Sequence, residues 1–364
     1  MDLLTYLDTV WHRDGGNMSW RCGLIENGVL FHPDGTIAPC CMIDDDYRKP
    51  VSELFNDPFA DIRTGKPEPV CKSCIDAEKN NLESMRENFK PYDDRSYRYL
   101  DVRNTNLCNM KCRMCGPEYS SLFNKELGNK DFIIKQDIEQ YLEKIVNNKL
   151  EYIYYTGGEP LLNPDHWLLL ELLIEKGYSK NIVISYNSNG TVTKFKDKNI
   201  IDIWKQFKHV KLMLSIDAVG EEFNILRHGG KWDKVKQNLE IMKHWPIETT
   251  IAVTVSLLNI WTLKNLMQEL QDFNIKLNNL YYPPHLSLNA IDERYKQQAI
   301  DCLDELKNYH HDHHLLDHLI QYTTDNYNCN LFKDTILHVL MLDKKRNENL
   351  FDRLPFTDYS TINI

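Results

Sequence analysis

Short apolar runs alternate with longer amphipathic stretches along the chain from about residue 96. The runs are rich in β-branched and aromatic residues, as buried strands are, and the stretches between them carry apolar residues at helical spacing. The predicted strands cover residues 97–102, 152–155, 182–186, 210–216, 249–257 and 277–282, and the clearest predicted helices cover residues 166–175, 234–244 and 263–273. Six strand–helix units in succession predict an α/β domain built on a parallel sheet.

The ends of several successive predicted strands carry polar or reactive side chains. An open doubly wound sheet would concentrate its motif after the first strand, whereas a barrel gathers side chains from many strand ends at one face. The sequence therefore favours a partial (β/α)6 barrel of the TIM type, which we expect to span residues 96–290.

The segments on either side of the predicted barrel follow other patterns. Residues 1–95 contain two short apolar runs joined by an Asp34-Gly35 turn, which predict a hairpin that returns Cys40 to Cys22. Residues 51–63 predict a short amphipathic helix. Residues 291–364 predict a C-terminal helical flank, with helices over 292–309, 313–322 and 331–342.

Charge and hydropathy limit the classes of partner and compartment. The 364 residues carry 43 Lys and Arg against 53 Asp and Glu, a formal net charge of −10, which disfavours nucleic acid and anionic membranes as partners. No apolar run approaches the roughly 18 residues that a membrane span needs, and Met1-Asp-Leu-Leu lacks the basic start of a secretory signal. We therefore expect a cytoplasmic protein.

Eight of the ten cysteines fall in two closely spaced sets, which indicates thiolate ligands in a reducing compartment rather than disulfides. One set is Cys108-Asn-Met-Lys-Cys112-Arg-Met-Cys115, directly after the first predicted strand of the barrel. Thiolates suit zinc or iron–sulfur clusters, but a closed site normally takes four protein ligands. Three ligands on one loop favour a metal with an open coordination position, as catalytic sites have; a zinc knuckle with a fourth ligand elsewhere is the alternative.

A second motif, Thr156-Gly157-Gly158-Glu159-Pro160, directly follows the second predicted strand. Paired glycines permit positive φ and let a ligand or backbone approach closely, and Pro160 fixes the exit from the turn. The Glu159 carboxylate would suit a cationic amine. On its own, the motif is an ordinary turn.

The two motifs together, Cys-x3-Cys-x2-Cys after one strand and Gly-Gly-Glu-Pro after the next, resemble those of radical S-adenosylmethionine (SAM) enzymes. The resemblance implies a [4Fe–4S] cluster on Cys108, Cys112 and Cys115, whose fourth iron is chelated by the amino and carboxylate groups of SAM. In that family the reduced cluster splits SAM into methionine and a 5′-deoxyadenosyl radical, which abstracts a hydrogen atom from the substrate. A one-electron reductant such as flavodoxin or ferredoxin is implied as a partner.

The resemblance also implies which residues contact SAM. Asn187-Ser-Asn189-Gly190 and Ser215-Ile-Asp217, after the third and fourth predicted strands, are similar to the family's Asn-Thr-Asn-Gly and Ser-Leu-Asp. The implied contacts are Met114 near the adenine, Gly157, Gly158 and Glu159 at the methionine amino group, Asn189 and Ser215 at further points of SAM, and Arg227 at its carboxylate.

The N-terminal cysteines resemble the SPASM/twitch extension, in which such a set binds an auxiliary [4Fe–4S] cluster. The matching residues are Cys22, Cys40, Cys71 and Cys74, with Cys41 as a possible substitute. This module precedes the barrel here, whereas it follows the barrel in the best-known members. Full ligation would suit electron transfer or structure, a missing ligand would allow substrate binding, and zinc is the alternative occupant.

The substrate class rests on the resemblance alone. Because related SPASM enzymes often modify peptides or protein side chains, a peptide or protein is the expected substrate. A small molecule such as a sugar or nucleoside is the second expectation. Two other readings are a zinc-bearing adaptor without enzymatic activity and an enzyme that uses SAM as a methyl donor.

Overall fold

A computed structural model of the chain describes residues 12–14, 17–19, 21–64, 70–79, 83–325 and 329–356. The chain divides into two compact units. The first comprises residues up to 107 with 133–186 and 199–210, and the second comprises residues 108–132 and 187–198 and those from 211 onward.

The described strands and helices alternate through most of the chain. The strands are β1 (His12–Asp14), β2 (Asn17–Ser19), β3 (Gly28–Phe31), β4 (Thr36–Ala38), β5 (Lys49–Pro50), β6 (Tyr99–Val102), β7 (Tyr152–Tyr155), β8 (Val183–Ser188), β9 (Lys194–Phe195), β10 (Lys198–Asn199), β11 (His209–Ser215), β12 (Glu248–Val255) and β13 (Asn274–Asn279). The α-helices are α1 (Gly23–Asn27), α2 (Ala60–Thr64), α3 (Lys72–Lys79), α4 (Ser121–Glu126), α5 (Glu139–Ile145), α6 (Pro164–Glu175), α7 (Ile200–Trp204), α8 (Gly220–Leu226), α9 (Trp232–Met242), α10 (Leu263–Glu269), α11 (Glu293–Glu305), α12 (His313–Asp325) and α13 (Cys329–Arg346).

Short 3-10 helices occupy several of the connections between these elements. They are Asp45–Tyr47, Val51–Glu53, Arg86–Asn88, Pro160–Leu162, Ser179–Asn181, Ile260–Thr262, Pro284–Leu286, Leu288–Ala290, Leu306–Asn308 and Phe351–Arg353. Separately, β1 pairs with β2 in an antiparallel ribbon.

In the first unit, a parallel sheet in the order β8-β7-β6-β3 is extended by the antiparallel strands β4 and β5. Leu100, Ile153 and Ile184 occupy one row across β6, β7 and β8, and all three are buried. Burying such a side chain contributes about 1.5–3 kcal/mol relative to exposure. Because β3 pairs with β6, the N-terminal hairpin joins this sheet. The domain boundary predicted at residue 95 stays a prediction.

The predicted hairpin before Cys40 is confirmed, since β3 and β4 pair across a turn in which Gly35 has φ of +87°. The helix predicted over residues 51–63 is wrong: a 3-10 turn at Val51–Glu53 and α2 replace it. Asp57 between them has φ of +53° and precedes Pro58. A residue before proline is disfavoured in the helical region, which explains the break.

In the second unit, β11, β12 and β13 are parallel and in register, with Leu214 opposite Ile251 and Ile251 opposite Ile275. The predicted strand 277–282 lies earlier, at Asn274–Asn279. Only Ile275 and Leu277 of this strand are buried, and they alternate with polar residues. Such alternation is typical of a half-buried strand, whereas the prediction rested on the continuous apolar run that begins at Leu277.

The C-terminal region is helical, as predicted, with α11, α12 and α13 in the second unit. Asp292 caps α11, its side chain accepting a 3.0 Å hydrogen bond from the Arg294 amide. Of the helices that the structure describes, none is long and apolar enough to cross a membrane. The predicted α/β class, with parallel strands of the (β/α) barrel type and C-terminal helices, is confirmed.

Candidate metal centres

Residues 108–115, here called the cysteine loop, are held by backbone hydrogen bonds to the end of α8 and the segment that follows it. The amide of Lys111 donates to the carbonyl of His228, and the amide of Arg113 to that of Leu226, both at 2.8 Å. The amide of Cys108 donates to the Ser121 hydroxyl at 3.2 Å. These bonds lie within the second unit and fix the path of the loop on both sides of Cys112.

The three thiols of the cysteine loop are close enough to influence one another. Burial raises the pKa of Cys115 well above its usual value, and the neighbouring Cys112 and Cys108 raise it further. Burial also raises the pKa of Cys112, against the opposing effect of the Arg227 guanidinium. Only thiolates bind metal, so a metal bound here would displace protons from these groups.

Arg227, predicted to bind the SAM carboxylate, is buried beside the cysteine loop. Its Nε and Nη2 donate to Oδ2 of Asp217 at 2.9 and 2.7 Å. Its Nη1 lies 3.8 Å from the Cys112 sulfur. The cation therefore sits between a carboxylate and a prospective metal ligand.

Three further predicted SAM contacts lie in the same unit as the cysteine loop. Asn189 donates from Nδ2 to Oδ1 of Asn109, a loop residue, at 2.8 Å. The sulfur of Met114 lies 2.9 Å from the hydroxyl of Ser256, the residue after β12. Ser215 is the last residue of β11 and is partly exposed.

The Gly-Gly-Glu-Pro turn lies in the first unit, against the chain that follows β6. Gly157 has φ of +104°, and a Cβ on Gly158 would lie 2.1 Å from the Leu107 carbonyl oxygen. The amide of Glu159 donates to that same oxygen at 2.7 Å. Both glycines are therefore required by close backbone approach. The buried Glu159 carboxylate accepts a 3.1 Å bond from the Leu161 amide and caps the following 3-10 helix.

Cys22, Cys40, Cys71 and Cys74 line a single pocket in the first unit. Cys22 precedes α1, Cys40 follows β4, and the other two flank the start of α3. The remaining lining is mostly apolar: Leu24, Ile25, Met42, Ile43, Val70 and Met85, with Arg86. The structure thus gathers the four cysteines that the sequence singled out at the N-terminus.

Burial raises the pKa of Cys22 to about 11, while amide groups of Ile25 and Leu24 donate to its sulfur and oppose the shift. Amides of Arg86 and Met85 do the same at Cys74. Backbone hydrogen bonds to sulfur and an apolar lining are the features by which proteins tune iron–sulfur clusters. The donor set and its surroundings therefore fit such a group.

Cys41 does not line this pocket. Its thiol interacts instead with Arg103, which directly follows β6, and with Asp101, which lies within β6. Arg103 Nε donates to Asp101 at 3.0 Å. Over the part of the chain that the structure describes, no three or more Cys, His, Asp or Glu side chains converge closely enough to hold a single metal ion. The four thiols of the pocket therefore suit a cluster, in which each cysteine binds a different iron, rather than one ion.

Sequence reasoning missed the charged residues that surround the cysteine loop. Arg113, inside the loop, pairs with Asp343 and with Glu348, and Lys111 pairs with Glu126. The only sequence signal was the presence of basic residues on each side of Cys112. Nothing in the local pattern could show which carboxylates, more than 200 residues away for Arg113, would meet them.

Comparisons with known proteins bear on the region that contains the cysteine loop. Residues 103–270 match the family model of the Radical SAM superfamily. Among curated relatives, GTP 3′,8-cyclase of Pasteurella multocida (strain Pm70) is 24% identical over 147 residues, covering 40% of this chain and 41% of the cyclase. GTP 3′,8-cyclase of Listeria monocytogenes serovar 1/2a is 25% identical over 195 residues, covering 52% and 55%.

The chain therefore spans about half, or less, of these cyclases' length. Among solved structures, native anSMEcpe with bound AdoMet is similar at a TM-score of 0.42 and 21% identity, covering 60% of this chain and 61% of anSMEcpe. Streptococcus suis SuiB bound to precursor peptide SuiA is similar at a TM-score of 0.38 and 16% identity, covering 80% of this chain and 57% of SuiB. Likenesses at this level carry no argument about activity or substrate.

Proposed function

We propose that this chain, whose residues 103–270 match the model of the Radical SAM superfamily, is an enzyme that cleaves SAM reductively and abstracts a hydrogen atom from a substrate. The observation that carries the proposal is the three-thiol cysteine loop inside the matched region. When bound, a [4Fe–4S] cluster with SAM supplies a 5′-deoxyadenosyl radical. Cys108, Cys112 and Cys115 would hold that cluster.

The other residues of the proposed site orient the cysteine loop and balance its charge. Asn189 holds the cysteine loop through Asn109, and Arg227 places a cation beside Cys112 that would offset the charge of a thiolate. Met114 and Ser215 are the proposed contacts with the remainder of SAM. Gly157, Gly158 and Glu159 are proposed to receive its amino group through a turn whose backbone is held at Leu107.

We further propose an auxiliary [4Fe–4S] cluster on Cys22, Cys40, Cys71 and Cys74, in a module of the SPASM/twitch type. The pocket that these four thiols line supports the proposal, as does its apolar wall. Cys40 rather than Cys41 is the proposed ligand, because only Cys40 lines the pocket. Four protein ligands would leave such a cluster without an open position, which suits electron transfer or structure.

The proposed substrate is a peptide or protein side chain, on the likeness of the N-terminal cysteine set to SPASM modules. A nucleotide or other small molecule is the second candidate, and the similarity to GTP 3′,8-cyclases favours it. Incubation with SAM, reductant and GTP separates the two: consumption of GTP together with 5′-deoxyadenosine formation supports the nucleotide. A short peptide encoded beside the gene is the probe for the first candidate.

Anaerobic reconstitution tests the proposal. We expect a brown protein with about eight iron atoms, in two four-iron clusters, that releases 5′-deoxyadenosine when reduced in the presence of SAM. Replacing Cys108, Cys112 and Cys115 together with Ala should abolish that release, while Cys302→Ala, a thiol outside both sets, should not. Release that persisted in the triple variant would contradict the site assignment.

The products and metals distinguish the remaining alternatives. Zinc in both cysteine sets without SAM cleavage would indicate an adaptor protein. S-adenosylhomocysteine among the products would indicate methyl transfer.

A further inference from the structure

The C-terminal helix α13 and the turn after it reach the cysteine loop through a buried cation. Arg113, directly after Cys112, has a fully buried side chain. Its Nη2 pairs with Oδ1 of Asp343 and, at 2.6 Å, with Oε2 of Glu348. Its Nε donates to the Ile225 carbonyl at 3.3 Å, and Nη1 has no hydrogen-bond partner among the described residues. The charge of this guanidinium is therefore balanced by two carboxylates of the C-terminal region.

A second ion pair ties the other side of Cys112 to the same helix. Lys111, directly before Cys112, pairs with the carboxylate of Glu126. That carboxylate also accepts from Arg346, the last residue of α13, at 2.7 Å. The Arg346 side chain is fully buried and that of Glu126 nearly so. Glu126 thus bridges the cysteine loop to the end of α13.

Two bonds to imidazoles complete the connection. Nε2 of His338, on α13, lies 2.9 Å from the carbonyl oxygen of Arg113, and because a carbonyl only accepts, this nitrogen is the donor. Nδ1 of His228 lies 2.5 Å from Oε1 of Glu348. Since the backbone of His228 also accepts from the Lys111 amide, Glu348 contacts both the loop and the segment that carries it.

We propose that Asp343 and Glu348 are positioning residues for the metal centre of the cysteine loop. They act through Arg113, and they set the orientation of the Cys112 sulfur and the charge around it. This inference rests on the proposed function, because it assumes a cluster on Cys108, Cys112 and Cys115. It gives the C-terminal helices a role, since both residues that flank Cys112 are anchored there.

The physical argument is that a buried charge is stabilised only by its partners. Removing both carboxylates would leave an unbalanced guanidinium one residue from a metal ligand. An unbalanced positive charge near a cluster favours its reduced form, so the cluster's reduction potential should rise. The loop, released from α13, should also open more often in the absence of metal.

The experiment uses the full chain with the double substitution Asp343→Asn and Glu348→Gln. In metal-free protein, hydrogen exchange of the peptide covering residues 109–116 should be about tenfold faster than in the unmodified protein. In reconstituted protein, the midpoint potential of the cluster on the cysteine loop should shift to more positive values. The conservative variant Asp343→Glu keeps the carboxylate, so its exchange rate and midpoint potential should stay close to those of the unmodified protein.

The control is Asp304→Asn, which breaks the exposed 2.8 Å pair with Lys307 in the same unit and should change neither property. If the double variant does not fold, Glu348→Gln alone, whose partner Arg113 keeps Asp343, tests the same two properties. Unchanged exchange and potential would overturn the proposal, and so would faster exchange with an unchanged potential, which describes a purely structural tether. If the unmodified chain takes up no cluster, the proposed function is contradicted instead. The exchange measurement uses metal-free protein, so it tests the contact between α13 and the cysteine loop in either case.

Discussion

Arg227 and Asp217 form a buried ion pair in which one carboxylate oxygen accepts from two guanidinium nitrogens, at 2.9 and 2.7 Å. The other oxygen of Asp217 accepts from the Thr254 amide at 2.8 Å. The pair joins the segment after β11 to the one after α8, beside Cys112. A residue predicted only as a SAM ligand therefore also has a structural partner, and any ligand carboxylate would share the cation with Asp217.

The contribution of this ion pair to the free energy of unfolding can be measured. We predict that Arg227→Gln costs about 3–5 kcal/mol in the free energy of unfolding, because it leaves the buried Asp217 carboxylate without its cation. The double variant with Asp217→Asn should lose less stability than the sum of the losses in the two single variants, and the difference, the coupling energy, should be about 1–3 kcal/mol. Urea unfolding of the metal-free protein measures both quantities.

The control is the more exposed Arg353, which pairs with Glu221 at 2.8 Å and with Glu222 at 3.0 Å. Arg353→Gln should cost about 1 kcal/mol or less, because water screens exposed pairs. Equal losses at the two pairs would show that burial does not strengthen the dependence of Asp217 on Arg227.

The Gly-Gly-Glu-Pro turn makes a steric prediction. Gly158→Ala should lower the free energy of unfolding by about 3 kcal/mol, since the added Cβ would lie 2.1 Å from a backbone oxygen that cannot rotate away. Gly177→Ala is the control in the same unit: its φ is +72°, but the added Cβ meets open space, so only the backbone cost of about 1–2 kcal/mol applies. Chemical denaturation of the three proteins compares them. A loss at Gly158 no larger than that at Gly177 would show that the turn relaxes readily.

The adjacent cysteines 40 and 41 give a test of the proposed auxiliary cluster. Cys40→Ala should reduce the iron content after reconstitution from about eight to about four atoms per chain, because a ligand of one cluster is lost. Cys41→Ala should leave it at about eight, because this thiol faces Arg103 and Asp101 rather than the pocket. Iron analysis with electron paramagnetic resonance of the reduced proteins makes the comparison. The opposite pattern would reassign the ligand to Cys41.

Local sequence pattern was sufficient for the elements but not for their side-chain partners. The strand at Tyr152–Tyr155 was predicted to the residue because four β-formers precede a glycine turn. The helix over 51–63 failed because its apolar spacing continued through Asp57-Pro58, where the backbone cannot remain helical. The spacing of the cysteines predicted two sets, and four of the N-terminal thiols line one pocket.

The charged framework of the cysteine loop could not be predicted in this way. Arg113 and Asp343 are 230 residues apart, and periodicity records only which face of an element is apolar. Which carboxylate meets a buried guanidinium depends on how the C-terminal helices pack, and so on tertiary contacts that a local window does not contain. The same holds for Arg227 and Asp217, where the sequence suggested two useful residues but not that they bind each other.

The buried imidazole of His166 predicts a dependence of stability on pH. Burial lowers its pKa to about 3, and its Nε2 lies 2.9 Å from the Tyr186 hydroxyl, in an aromatic cluster with Tyr155. In the unfolded chain this group has a pKa of about 6.5. Between these two values the unfolded chain binds more protons than the folded one, so stability falls as the pH falls.

His166 alone should therefore cost about 2 kcal/mol in the free energy of unfolding between about pH 7.5 and pH 5. His338 and His32, whose pKa values burial lowers to about 4, should add losses of the same sign. His166→Phe keeps a ring in the cluster and removes the titrating group, so the pH dependence should shrink by that amount even where the variant is less stable throughout. Urea midpoints at the two pH values measure this difference. An unchanged pH dependence in the variant would mean that the pKa of this imidazole is the same in the folded and unfolded protein.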